Sequence, residues 1–273
     1  MKKHLSTVIL ILVFLTGLSL LLYPTVSDYW NSFHQSRAIA TYASEVAALD
    51  NDTYGQLWAA AQDYNRRLAL RENPLAQSEE DLAAYADLLN LDGTGVMGYI
   101  EIPEIKVSLP IYHGVDEGVL QIAVGHIPGT SLPTGGTGTH CVISGHRGLP
   151  SAKLFTNLDQ LREGDLFLLR VLDETLTYEV DQILIVEPDQ VEALAIDPDR
   201  DDCTLVTCTP YGVNTHRLLV RGHRVENQAS AASIRVTADA MQIEPVIVAP
   251  IVAAPILLLL MLWVLLKPRR KKR

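Results

Sequence analysis

Cysteine is scarce in this sequence, three in 273 residues, and no spacing among its Cys and His residues matches a zinc site. Basic residues are scarce where an anion would need them. Of the 22 Lys and Arg, eight crowd into residues 1–3 and 267–273, leaving 14 against 32 Asp and Glu, a net charge of −18, for the stretch between. So acidic a chain repels a phosphate backbone, which excludes nucleic acid as a partner. The densest acidic segment, 187–202, has five Asp and two Pro and reads as a solvated loop before it reads as a calcium site. No metal or other cofactor is expected.

Long apolar runs are few, and both lie near the ends. Residues 5–22 are almost uncharged behind Met1-Lys2-Lys3, long enough for a signal peptide or a spanning helix. Tyr23-Pro24-Thr25-Val26 offers no small-x-small cleavage site, which favours a retained anchor within residues 1–26. The second run, 246–266, follows a linker at 229–245, reads as a transmembrane helix and precedes the basic tail 267–273. Cations flanking both runs mark the cytoplasmic side. The expected arrangement is a membrane protein with an extracellular central domain and a cytoplasmic C-terminal tail.

Between the runs the texture changes once. Residues 27–92 have helical character: Ala38, Tyr42, Val46 and Leu49, then Leu57, Ala61, Tyr64 and Leu68, recur at helical spacing. The pattern stops at Glu72-Asn73-Pro74-Leu75, and Ser78 followed by three acids looks like the N-cap of a second helix through residue 90. From 93 to 228 short runs of Val, Ile, Tyr and Thr are broken by Pro and Gly every eight to twelve residues, the punctuation of an all-β barrel. Strands are expected at 96–102, 107–112, 139–143, 165–172, 175–186, 203–208 and 217–225, and short helices at 116–123, 154–158 and 190–194.

The stretch with the most chemistry is TLVTCTPYGVNTHR at 204–217. A β-branched run reaches Cys208, breaks at Thr209-Pro210-Tyr211-Gly212 and resumes as a strand, so Cys208 and Arg217 can face each other across neighbouring strands. A thiolate is the nucleophile, and a fixed guanidinium favours it and can donate to a developing oxyanion. A leaving amine also needs a proton donor, usually histidine. His146 fits, at the end of the run Cys141-Val142-Ile143 and just before Gly148. His140 begins its strand, His216 falls on the face opposite Arg217, and His113, His126 and His223 read as structural or surface residues. Taken singly, Cys208 reads equally well as a small buried hydrophobe.

The combination resembles the sortases, and more closely their class C, pilin-polymerising branch. The resemblance rests on GYIEIPEI at 98–105, SLPIYHG at 108–114, GHIPGTSLP at 125–133, GTHCVISGHRGLPSAKLF at 138–155 and TLVTCTPYGVNTHRLLVRGHR at 204–224. It implies a closed β-barrel of seven or eight strands with short helices, an N-terminal two-helix region and membrane helices at the termini. It implies that Cys208, His146 and Arg217 are catalytic, with Thr207 and Thr209 as possible peptide contacts. The implied reaction is transpeptidation: an LPXTG-like signal is cut between Thr and Gly through a thioester on Cys208 and passed to a lysine amine of another pilin subunit. The implied alternative is wall anchoring, with a lipid-linked peptide amine as acceptor. Two further readings are a hydrolase using water and an inactive membrane scaffold.

The same resemblance places a lid at Asn73, Pro74 and Leu75, where class C enzymes often carry Asp-Pro-aromatic. Asn lacks the charge to pair with an arginine and Leu lacks a π-face, so a weak latch is expected; Glu72 is a substitute partner for Arg217. In the sortase barrel the strands of Cys141 and Cys203 would be parallel neighbours. That leaves either a disulfide or two inert buried thiols, while Cys208 stays free.

Overall fold

The computed structural model describes residues 2–91 and 93–227, with Pro255. The expected linker, second transmembrane helix and basic tail therefore lie, Pro255 apart, outside the described residues.

Eight strands close into a barrel: β1 (Val96–Ile102), β2 (Val107–His113), β3 (Val124–His126), β4 (Thr139–Ser144), β5 (Leu166–Val171), β6 (Glu174–Val186), β7 (Asp201–Thr209) and β8 (His216–Val225). Their order around the barrel is β1-β2-β3-β4-β7-β8-β6-β5. Two neighbouring pairs are parallel, β2 with β3 and β4 with β7, and the rest are antiparallel. Closure leaves no free edge to seed pairing with other chains. Seven of the strands match the sequence expectation; β3 is new, and its three residues are too few to display a two-residue period.

Four helices precede or interrupt the barrel: α1 (Lys2–Ala48), α2 (Asn51–Leu68), α3 (Glu79–Ala86) and α4 (Glu117–Leu120). The helical region divides at Asp50, whose carboxylate caps α2 by accepting from the Thr53 amide at 2.7 Å. Upstream of that break α1 runs 47 residues without interruption, Pro24 included. It is the one helix among the described residues long and apolar enough to cross a membrane, by length and composition. Ser78 caps α3 in a reciprocal box with Asp81, and α3 stops at Ala86, short of 90, before Leu89 turns left-handed at φ 57. The helix expected at 154–158 is a series of turns, because Leu154 has φ 38, and only Leu158–Gln160 closes as a 3₁₀ turn.

Helices and barrel share one core. Ala61, Tyr85 and Leu89 pack in the same cluster as Ile100, Ile143, Phe167, Leu205 and Val220. Two buried polar side chains fix the register of that packing. Tyr42 donates to Met97 O and accepts from the Leu172 amide, and Asn65 exchanges two hydrogen bonds with the backbone of Leu132. Each satisfies a buried backbone group that no strand partner reaches.

Strand alternation gives β4, β7 and β8 two different faces. Cys141, Ile143, Cys203, Leu205, Leu218 and Val220 point into the barrel core. Val142, Val206 and Leu219 form a separate outer cluster with Ile127, Leu184, Val186, Ala193 and Leu194. Cys141 and Cys203 are direct partners in the parallel β4/β7 register, both buried and both free thiols.

Candidate active site

The site lies where β4 and β7 end and β8 begins. Cys208 on β7 is the direct Cα partner of Arg217 on β8, the pairing expected from the sequence. Two positions beyond Val206, Cys208 shares the outer face, as Arg217 does with Leu219. Of the three thiols it alone is half-buried instead of buried.

His146 arrives by a different route. The β4/β7 register ends at Ser144 opposite Val206, and the chain then stays on β7: the Gly145 amide donates to Val206 O at 3.0 Å and the Thr207 hydroxyl to Gly145 O at 2.8 Å. The next residue is His146, held by its carbonyl, which accepts from the Phe155 amide at 3.1 Å. A side chain on Gly145 would force its neighbours to shift, since a Cβ would lie 2.7 Å from the Phe155 ring and 2.9 Å from Val124. The three residues singled out from the sequence are thus set at one rim by adjoining strand ends. Arg217 Nη1 donates to the carbonyls of Asn214 and His216, which pins the guanidinium to its own turn.

Thr207 and Thr209, expected as peptide contacts, are both buried. The Thr207 hydroxyl holds Gly145, and the Thr209 hydroxyl accepts from Arg147 Nη1 at 3.4 Å. Sequence reasoning gave Arg147 no role, although it follows His146 directly. Its guanidinium pairs with Asp159 and lies 5.9 Å from the centre of the Tyr211 ring. Adjacency to His146 was the available signal; the pairing across loops was not.

The outer apolar cluster runs towards Cys208, walled by the segment between β6 and β7. His140 ties that wall to the barrel: its ring nitrogens lie 2.9 Å from Ala195 O and 2.7 Å from the Thr204 hydroxyl. Burial holds the His140 imidazole below its ordinary pKa, so it is a neutral brace. Among the described residues no group of three or more His, Cys, Asp or Glu side chains is placed to hold a metal.

Asn73, Pro74 and Leu75 line a cavity of about 300 Å³ with Gly129, Thr130, Val191 and Leu194. Gly129, at φ 83, admits this strap because a Cβ would sit 2.4 Å from Pro74 O. The strap thus rests on the wall of the apolar strip. Arg71, the residue before Glu72, is ion-paired with Asp81, and Glu72 makes no ion pair among the described residues.

Residues 100–225 match the family model described as the sortase domain. Sortase C1 from Streptococcus agalactiae superposes with a TM-score of 0.69 at 49% identity, covering 70% of this chain and 100% of that one. Sortase C from Streptococcus pneumoniae, whose structure bears on catalysis and pilin substrate specificity, gives a TM-score of 0.64 at 42% identity, covering 71% of this chain and 98% of that one. Sortase D from Bacillus subtilis is 30% identical over 131 residues, which are 47% of this chain and 63% of that protein, so the chain spans less than two thirds of its length.

Proposed function

Since the chain belongs to the sortase family, in its class C branch, we propose that it is a cysteine transpeptidase acting on proteins that carry an LPXTG-like sorting signal. Cys208 as thiolate attacks the Thr carbonyl. Arg217 donates to the developing oxyanion or to the peptide, in the position where such donors contribute most. His146 protonates the departing Gly amine, leaving a thioester on Cys208, and then takes the proton of the incoming amine. The observation that carries this reading is the direct β7/β8 pairing of Cys208 with Arg217, at a rim that His146 reaches along β7.

The acceptor is a lysine amine of a second pilin subunit, the product a covalent pilus. Support comes from the class C likeness and from the helical region that forms one core with the barrel. The apolar strip of Val142, Val206 and Leu219 suits the Leu-Pro end of the signal, and the 73–75 strap, seated on that strip's wall, limits access to it. The apolar half of α1 anchors the enzyme in the membrane with the barrel outside, and the basic tail 267–273 stays in the cytoplasm.

The test is intact-mass analysis of the full chain in detergent with an LPXTG-type peptide, with and without a lysine-bearing pilin fragment. A mass increase on Cys208 that the fragment resolves into an amide-linked product is expected. An adduct released by a lipid-linked peptide amine in preference to the fragment would replace pilus building with wall anchoring, and one released by water whichever amine is offered would make the enzyme a hydrolase. No adduct, even after substitution of residues 73–75, would sink the transpeptidase reading.

A further inference from the structure

Backbone bonds carry β4 as far as Gly145, and His146 makes no side-chain hydrogen bond among the described residues. A general acid without a side-chain anchor needs its loop held from elsewhere, because a misplacement of about 1 Å can cost roughly 100-fold in rate. The residues after His146 and after Cys208 supply that hold.

Arg147 is only 11% exposed, low for an arginine at a rim. One arm of its guanidinium pairs with Asp159 and the other donates to Thr209, the residue after Cys208. Its Cζ lies 5.9 Å from the centre of the Tyr211 ring, and that ring also covers Gly148: a Cβ there would be 2.9 Å from Cε2 and 3.0 Å from Cζ. Gly148 has φ 78, so its conformation and its missing side chain both serve the ring's approach. The Nε of Arg147 is buried and has no hydrogen-bond partner, so this side chain is placed at some cost. Arg147-Gly148 of the histidine loop thus grips Thr209 and Tyr211 of the cysteine loop.

We propose that Arg147, with Tyr211 as its platform and Asp159 as its counter-ion, is a positioning residue that sets the His146 imidazole against the Cys208 thiol. The inference rests on the transpeptidase reading for its consequence in turnover, though not for the geometry of the clasp. Lysine cannot replace Arg147, having no fork to span Asp159 and Thr209.

Two readouts on the full chain in detergent test it. With peptide and amine, Arg147→Lys should lower kcat by about 10- to 100-fold with KM within about threefold, Asp159→Asn should fall less, and Tyr211→Phe should fall less than Tyr211→Ala. Without substrate, the rate of Cys208 alkylation by iodoacetamide as a function of pH should change shape in Arg147→Lys and Tyr211→Ala, because the thiolate fraction depends on where the imidazole sits. A wild-type chain with no turnover defeats the transpeptidase reading and leaves the alkylation profile to decide the clasp. Alkylation profiles that superimpose on wild type would overturn the proposal, as would an unchanged kcat in a chain that turns over. If Arg147→Lys does not fold, Asp159→Asn and Tyr211→Ala carry the same test from the other two sides.

Discussion

Strands β4, β7 and β8 have an inner and an outer face that differ in what they tolerate. Inward, Cys141, Cys203, Leu205 and Val220 are packed among themselves and with Phe167 and Tyr178. One residue away in each strand, Val142, Val206 and Leu219 form an outer strip that ends at Cys208 and Arg217. The two cysteine populations show the difference. Cys141 and Cys203 are side by side and sealed from solvent, whereas Cys208 is open enough to react. A two-residue period thus separates what keeps the barrel together from what the barrel does.

Single substitutions on either face should separate chemistry from stability. The largest effect is expected from Cys208→Ala, which should abolish adduct and turnover while the thermal unfolding midpoint stays near wild type; folded protein that still forms a thioester would break the division. Arg217→Ala should follow, lowering kcat by about 100- to 1,000-fold, as for loss of an oxyanion donor, with little change in midpoint. On the inner face, Leu205→Ala should cost about 2–5 kcal/mol in denaturant unfolding, with activity per folded molecule retained. Gly145→Ala and Gly222→Ala sharpen the contrast, since each Cβ would meet a buried phenylalanine ring at 2.7 Å. Both should destabilise by about 1–3 kcal/mol, but only Gly145→Ala, one residue from His146, should also reduce kcat.

The smallest effect expected is on pH. Burial lowers the pKa of both His113 and His140, so below about 6.5 the unfolded chain binds protons that the folded chain refuses. Stability should therefore fall as pH drops from 7 towards 5, and replacing His140 with Gln should flatten part of that slope in thermal melts.

The Cys208/Arg217 pairing was readable because its information is local. A β-branched run ending at a reactive residue, a Pro-Gly turn and a second run with Arg at matching parity are enough to pair Cys208 with Arg217. The helical periodicity likewise survived, since Ala61 and Leu68 face the core as their spacing requires. What escaped depends on contacts across the chain. β3 exists only because β2 and β4 flank its three residues, and Leu154 is left-handed within a segment whose composition suits a helix. The clasp of Arg147 on Tyr211 joins residues 64 positions apart. Nor does the sequence around Pro74 reveal that Gly129 receives it.

The unbroken α1 has a mechanical consequence. At about 1.5 Å per residue, 47 residues make a helix of about 70 Å that continues through Pro24, where the apolar half gives way to the half that docks on the barrel. Asn31 donates to Ser151 O, Asp28 accepts from the Lys153 amide, Gln35 donates to Ile122 O, and Tyr42 is fixed to Met97 and Leu172, so the helix is fastened at four positions, two of them on the loop that follows His146. A flexible tether would let the rim face any direction. With the apolar half of α1 as the proposed anchor, a turn of that helix about its own axis carries the barrel rim through the same angle.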